Sequence, residues 1–217
     1  MKRADSFFSD IEVFRTPAEM KLYFDSKVNI IKDDVEYNSL SSLKKGLFKE
    51  FLEEFYPLYC FSQSRFCDKN SKLKIVIGNQ GYDAIIINPD GAEIKLEFTN
   101  YIDGKFEFED AKLLNSRGYG NIRFKDYKDL DSRALEYLSK ILQNAKKKSE
   151  KSYEGVSIVF AVNSFDYFEI YDNNSQGFVE LIKEELRKMI FQADSIYLLI
   201  FNDKKINEID NNIYIVK

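Results

Sequence analysis

YDAIIINPDGAEIKLEFTNYIDG, residues 82–104, decides the fold of this chain. From Asp83 to Asn88 runs a β-branched stretch that ends in a turn signal. Beyond the turn the residues alternate, with Glu93, Lys95, Glu97 and Thr99 on one face and Ile94, Leu96 and Phe98 on the other. A sustained period of two predicts a strand with one dry side. Asn88-Pro89-Asp90-Gly91 suits a type I turn in which Gly91 takes the left-handed position and closes a three-residue hairpin loop. That loop pairs Asn88 with Ala92, hence Ile86 with Ile94, Ala84 with Leu96 and Asp83 with Glu97. Directly opposed residues share a face, their Cβ atoms about 4.5–5.5 Å apart. Two carboxylates so placed repel unless a cation lies between them, and a divalent metal ion is the simplest one to supply. The alternatives are that both acids are solvated at the open end of the hairpin, or that a two-residue loop slips the register by one. The slip would set Asp83 opposite Leu96 on the apolar face, where a bare carboxylate is costly.

With 217 residues, 44% of them hydrophobic, 31% charged and 15% aromatic, the chain has enough apolar surface for one ordered α/β domain with a core. The net charge of −4 means that any contact with nucleic acid must come from a local basic patch. Histidine is absent, which removes histidine-based triads, general bases and metal sites together. Cys60 and Cys67, the two cysteines, are too few for a zinc site without histidine and read as reduced thiols. No stretch approaches the ~18 apolar residues of a membrane span, and the first residues lack the apolar core of a signal peptide. The expected location is the cytoplasm, without a membrane partner.

Taken in order, residues 1–38 read as an N-terminal helical arm and residues 39–217 as the α/β domain. Thr16-Pro17-Ala18-Glu19 is a helix start, with threonine as cap, proline in the first turn and glutamate three residues after the cap. This helix is expected to end near Ser26, with a linker over 32–38. Ser41 or Ser42 is expected to cap a helix over 43–59, whose apolar face carries Leu43, Leu47, Phe48, Phe51, Leu52 and Phe55. Glu50 and Glu54, one turn apart, fall on the edge of that face, either solvated or turned into a site between helix and sheet. Strand 72–78 precedes the hairpin. A helix over 105–117 carries Lys112 and Arg117, a short extended piece is expected over 121–125, and a helix from Asp131 or Ser132 reaches about Glu150. Lys146, Lys147, Lys148 and Lys151 cluster at its end, where cations suit the helix macrodipole and can also meet phosphate. Two uniformly apolar runs, 155–163 and 195–201, read as strands buried on both faces, separated by a helix over 178–192, with a last edge strand over 212–216. The sum is a mixed sheet that starts antiparallel, in the manner of an α+β fold, with helices on both faces.

That order, with acids on the second and third strands, resembles the PD-(D/E)xK nuclease-like superfamily, whose restriction-endonuclease-like core is a helix, three antiparallel strands, a helix and a further strand. The resemblance covers about residues 41–163. It implies hydrolysis of phosphodiester bonds by two strand acids that bind Mg²⁺ or Mn²⁺, often with a further acid from the first helix and a lysine two residues after the second acid. Asp83 matches the first acid. The literal motif offers Glu93 and Lys95 for the rest, but Glu93 pairs with Ile87 near the turn, about 13–14 Å along the strand from Asp83. Glu97 lies opposite Asp83, so geometry prefers it, and the lysine position then holds Thr99, which can orient water but carries no charge. Lys95 and Lys112 are the candidates for a relocated lysine, and glycine-then-acid spacing from Gly46 favours Glu50 as the helix acid. The resemblance thus implies Asp83, Glu97 and Glu50 as metal ligands, Lys95, Thr99 or Lys112 around the reacting water, and Arg117, Lys146, Lys147, Lys148 and Lys151 along the nucleic-acid backbone. DNA is the first substrate to expect. The rivals are a nuclease-like domain that binds nucleic acid or protein without cutting, and an interaction protein whose acids are merely solvated. A protein partner or a second copy remains open in either case.

Overall fold

The computed structural model describes residues 4–100, 104–117, 129–163, 175–201 and 206–217. The chain is an α/β protein built on a six-stranded mixed sheet. After a short helical turn at Ala4–Phe7, helices α1 (Pro17–Asp33) and α2 (Val35–Ser42) precede a further helical stretch, α3, over residues 48–62. Strands β1 (Lys72–Ile75), β2 (Ala84–Ile87) and β3 (Glu93–Asn100) follow, then α4 (Gly104–Arg117) and α5 (Asp129–Ser149). Strand β4 (Val156–Asn163), helix α6 (Ser175–Lys188), strand β5 (Ile196–Phe201) and strand β6 (Ile213–Ile215) follow in the main sheet's order, with a separate parallel pair, Ser152–Tyr153 and Gln192–Ala193, and a 3-10 turn over Ile206–Asn211. The strands lie side by side in sequence order, antiparallel from β1 to β3, parallel from β3 through β5, and antiparallel again at β6.

Burial on both faces follows from the two apolar runs. In β4, Val159 and Ala161 point into a core shared with Phe51, Phe55, Leu73, Ile86 and Leu96. Their neighbours Ile158, Phe160 and Val162 point the other way, against Ile141 and Ala145 of α5 and Ile182 and Leu186 of α6. Alternation in a parallel strand therefore distributes apolar residues between two cores.

The N-terminal segment belongs to the first of these cores, where Phe8, Ile11, Met20 and Ile31 are buried. The Phe8 ring meets Phe48 edge-on at 4.9 Å and stacks on Phe51 at 4.8 Å. Arg15 exchanges both backbone hydrogen bonds with Leu73, at 2.9 and 2.8 Å, which covers the free edge of β1. Thr16 caps α1 as expected: its N–H donates to Glu19 Oε2 at 2.7 Å and its hydroxyl accepts from the Glu19 N–H at 3.4 Å. Thr16→Ala is expected to cost about 1 kcal/mol and lower the unfolding midpoint by about 2–4 °C, read by thermal denaturation.

Several helix boundaries differ from the sequence reading, among them the helix expected over 178–192, which runs Ser175–Lys188. Helix α1 runs on to Asp33, and residues 32–38 form no linker, because the Asp34 carboxylate caps α2 by accepting from the N–H groups of Glu36 and Tyr37 at 3.0 and 3.1 Å. Ser41 and Ser42 therefore end a helix instead of starting one. The chain breaks after them through Lys44 (φ 47°) and Gly46 (φ 55°), and α3 begins only at Phe48. The extended piece expected over 121–125 lies outside the described residues.

Candidate functional site

The hairpin takes the expected register from the turn to Ala84 and Leu96, where the ladder ends one residue short of the expected Asp83–Glu97 pair. Gly91 adopts φ 87° and donates to the Asn88 carbonyl at 2.9 Å, and the Asn88 N–H donates to Ala92 at 2.9 Å. Ala84 pairs with Leu96, Ile86 with Ile94 and Ile87 with Glu93. Just before β2, the Asp83 N–H donates to the Leu96 carbonyl at 2.8 Å, while Asp83 Oδ2 accepts from the Phe98 N–H at 2.7 Å. Asp83 is thus tied to β3 through both backbone and side chain, beside Glu97.

The cation next to Glu97 comes from helix α5. Lys148 Nζ donates to Glu97 Oε1, and the two side chains are only 22% and 13% exposed. The ammonium also lies 5.4 Å from the centre of the Tyr153 ring. Burial works against the charge on Lys148, but hydrogen bonds to Glu97 and Tyr153 outweigh it and raise its pKa above the ordinary lysine value. The sequence places Lys148 at a helix end, where it suits the macrodipole or meets phosphate, and gives it no inward partner. The signal for its inward role was available: Ile141, Ala145 and Lys148 lie at helical spacing, and the first two are buried. Lys146 and Lys147 fall outside this stripe and are exposed, as is Lys151 just beyond the helix.

A second carboxylate approaches Asp83 from α3. Burial, then the charges of Asp83 and Glu50, push the Glu54 carboxyl up to about 8. Burial and the neighbouring Glu97 push Asp83 up to about 6, against the opposing Phe98 N–H and Lys148. Electrostatically Glu54 is therefore the helix acid coupled to Asp83, with Glu50 coupled to Glu54. Glu50 keeps one buried oxygen, Oε2, without a hydrogen-bond partner.

The remaining expected residues make contacts of their own. Lys95 pairs with Glu93, on the turn side, at 3.6 Å and lies over the ring of Tyr82, the residue before Asp83, at 5.2 Å. Lys112 and Arg117 are exposed on α4. Thr99 turns its hydroxyl into the contact with α5, where Oγ1 is buried without a partner and lines a cavity of about 10 Å³ with Ile141, Asn144 and Phe160. That volume is about one water molecule.

Among the described residues no three acidic or sulfur side chains converge into a ready-made metal cage. The donor set nevertheless fits a small hard cation, which binds through one or two carboxylates and keeps several waters. Asp83 and Glu97 provide two carboxylates, and Glu50 Oε2 is a buried oxygen with nothing to accept from.

The raised carboxyls carry a pH consequence. A carboxyl whose pKa is higher folded than unfolded stabilises the fold fully below its unfolded pKa, and that contribution is lost as pH rises through the folded value. In EDTA, the protein is expected to lose stability from about pH 4 up to about pH 8, as Asp83 (about 6) and then Glu54 (about 8) ionise. The Asp83 share is on the order of 3 kcal/mol. Thermal unfolding across this range checks it, and Asp83→Asn and Glu54→Gln should each flatten the slope.

Among the described residues, no helix is long and apolar enough to cross a membrane. Comparison with known proteins returned no matching family model, no matching curated protein and no matching solved structure.

Proposed function

We propose that this chain is a metal-dependent nuclease of the PD-(D/E)xK type, with DNA as its first candidate substrate. The observation that supports the reading is Asp83, tied to β3 through the Phe98 N–H and felt by the Glu97 charge, with the half-buried Lys148 ammonium against Glu97. A restriction-endonuclease-like core agrees with the antiparallel β1–β3 meander followed by a parallel strand.

In this reading Asp83 and Glu97 hold Mg²⁺ or Mn²⁺, and Glu50 or Glu54 approaches from the helix side. The bound ion would lower the pKa of a coordinated water and offset charge on the phosphate. Lys148 supplies the fixed positive charge that Thr99 cannot, from a helix instead of from the strand. Water attacks phosphorus, the bond to the leaving oxygen breaks, and that oxygen takes a proton. Exposed Lys146, Lys147 and Lys151 lie at the same helix end and would steer the phosphate backbone in a salt-dependent way.

A second reading draws on Thr99, whose hydroxyl is committed to the α5 contact at the position where the family carries lysine. Here the domain binds nucleic acid or a protein without cutting. Incubation of purified protein with plasmid, linear and single-stranded DNA and with RNA, in Mg²⁺, Mn²⁺ or EDTA, separates the two. Metal-dependent cleavage supports the nuclease. Binding without cleavage on every substrate supports the second reading.

A further inference from the structure

Helix α3 is not a regular α-helix. Between Phe48–Glu50 and Tyr56–Ser62 it opens into a π-turn over Phe51–Phe55, in which the Tyr56 N–H donates to the Phe51 carbonyl five residues back. Such wide turns are rare and concentrate at functional sites. Here a cause is visible. In an α-helix the Glu53 carbonyl would accept from residue 57, but that residue is Pro57, which has no N–H and whose ring crowds the carbonyl four residues earlier. The Asn100 side chain, at the end of β3, donates from Nδ2 to the Glu53 carbonyl at 3.0 Å. The Glu53 carboxylate is drawn aside by Lys44 at 3.0 Å, leaving its neighbour Glu54 toward Asp83.

We infer that Pro57 and Asn100 are positioning residues that hold the 51–55 turn open and set Glu50 and Glu54 relative to the Asp83–Glu97 pair. An extra residue in one turn changes helical phase by about 100° and rise by about 1.5 Å. Closing the turn would rotate Glu54 against Glu50, and only one of them could keep its present direction. Asn100 connects the two halves of the site directly, because it lies on β3 three residues after Glu97. Its consequence for metal binding rests on the function proposed above.

The test uses the full chain, with Mn²⁺ alone as the probe by titration calorimetry, cleavage by gel, and thermal unfolding in EDTA. Asn100→Ala is expected to lower the unfolding midpoint and to weaken Mn²⁺ binding about tenfold, the usual scale for a residue supporting a metal ligand. Pro57→Ala in the Asn100→Ala background returns an N–H to the Glu53 carbonyl, so the unfolding midpoint should recover. Mn²⁺ affinity and cleavage should not recover, because the restored bond favours the α-helical phase. Recovery of both would mean that Asn100 acts through stability alone and would overturn the inference. So would wild-type affinity in Asn100→Ala. Wild-type protein that neither binds Mn²⁺ nor cleaves removes the nuclease reading and this role with it. An active wild type with an unaffected double variant removes only the role of the turn.

Discussion

Asp83→Asn and Glu97→Gln are each expected to abolish metal-dependent cleavage, by about 10³-fold or more, without unfolding the protein. The size follows from the several kcal/mol of charge stabilisation that a bound cation contributes, at about 1.4 kcal/mol per tenfold in rate. Asparagine is the sharper choice at position 83, because Oδ2 accepts from the Phe98 N–H and an amide oxygen still can. Alanine would leave that N–H unpaired, at about 1–3 kcal/mol, and confuse loss of function with loss of structure. The hairpin itself should survive, since its register is held by backbone bonds and by Ala84, Ile86, Ile94 and Leu96. In EDTA Asp83→Asn should even stabilise the protein, because it removes one of the repelling charges that raise Glu54. The combination of a firmer fold and no cleavage is what a ligand position predicts. Cleavage that persists in both variants would place the chemistry elsewhere.

Lys148→Met is expected to lower cleavage about 10²-fold, within the range for a positioned proton-transfer or charge-stabilising side chain. In EDTA it should also destabilise the protein by about 2–4 kcal/mol, since removing one partner strands Glu97 in a site with little water. Both side chains retain some exposure, which keeps the cost below that of a fully enclosed pair. Added Mg²⁺ should return part of that stability by supplying the missing positive charge. Lys148→Arg keeps a cation and should lose less on both counts. The adjacent lysines provide the contrast: Lys146→Ala and Lys147→Ala touch exposed side chains and should change stability by no more than about 0.5 kcal/mol. Their effect belongs in the salt dependence of binding. Unfolding in EDTA and in Mg²⁺, together with single-turnover cleavage, measures all four variants. A Lys148→Met protein that cuts at the wild-type rate would remove the ammonium from the chemistry.

Local physics made much of this legible from the chain alone. The hairpin register follows from Gly91 at positive φ and from alternation that allows only one face of β3 to be dry. The buried strands β4 and β5 are apolar on both faces, so their place in the middle of the sheet is written into their composition. Thr16 and Glu19 cap α1 through atoms three residues apart.

What crosses the chain was decided by packing. Lys148 lies 51 residues from Glu97, and only the passage of α5 over the polar face of β3 brings them together. That passage also explains why Thr99 is dry, although its strand face reads as polar. Asn100 reaches the Glu53 carbonyl across 47 residues, and the π-turn between them shifts the phase on which Glu50 and Glu54 were compared. Pro57 announced an interruption in the helix, but not its form. A proline removes one hydrogen bond; whether the helix kinks, ends or widens depends on what stands opposite the freed carbonyl, and here that is Asn100.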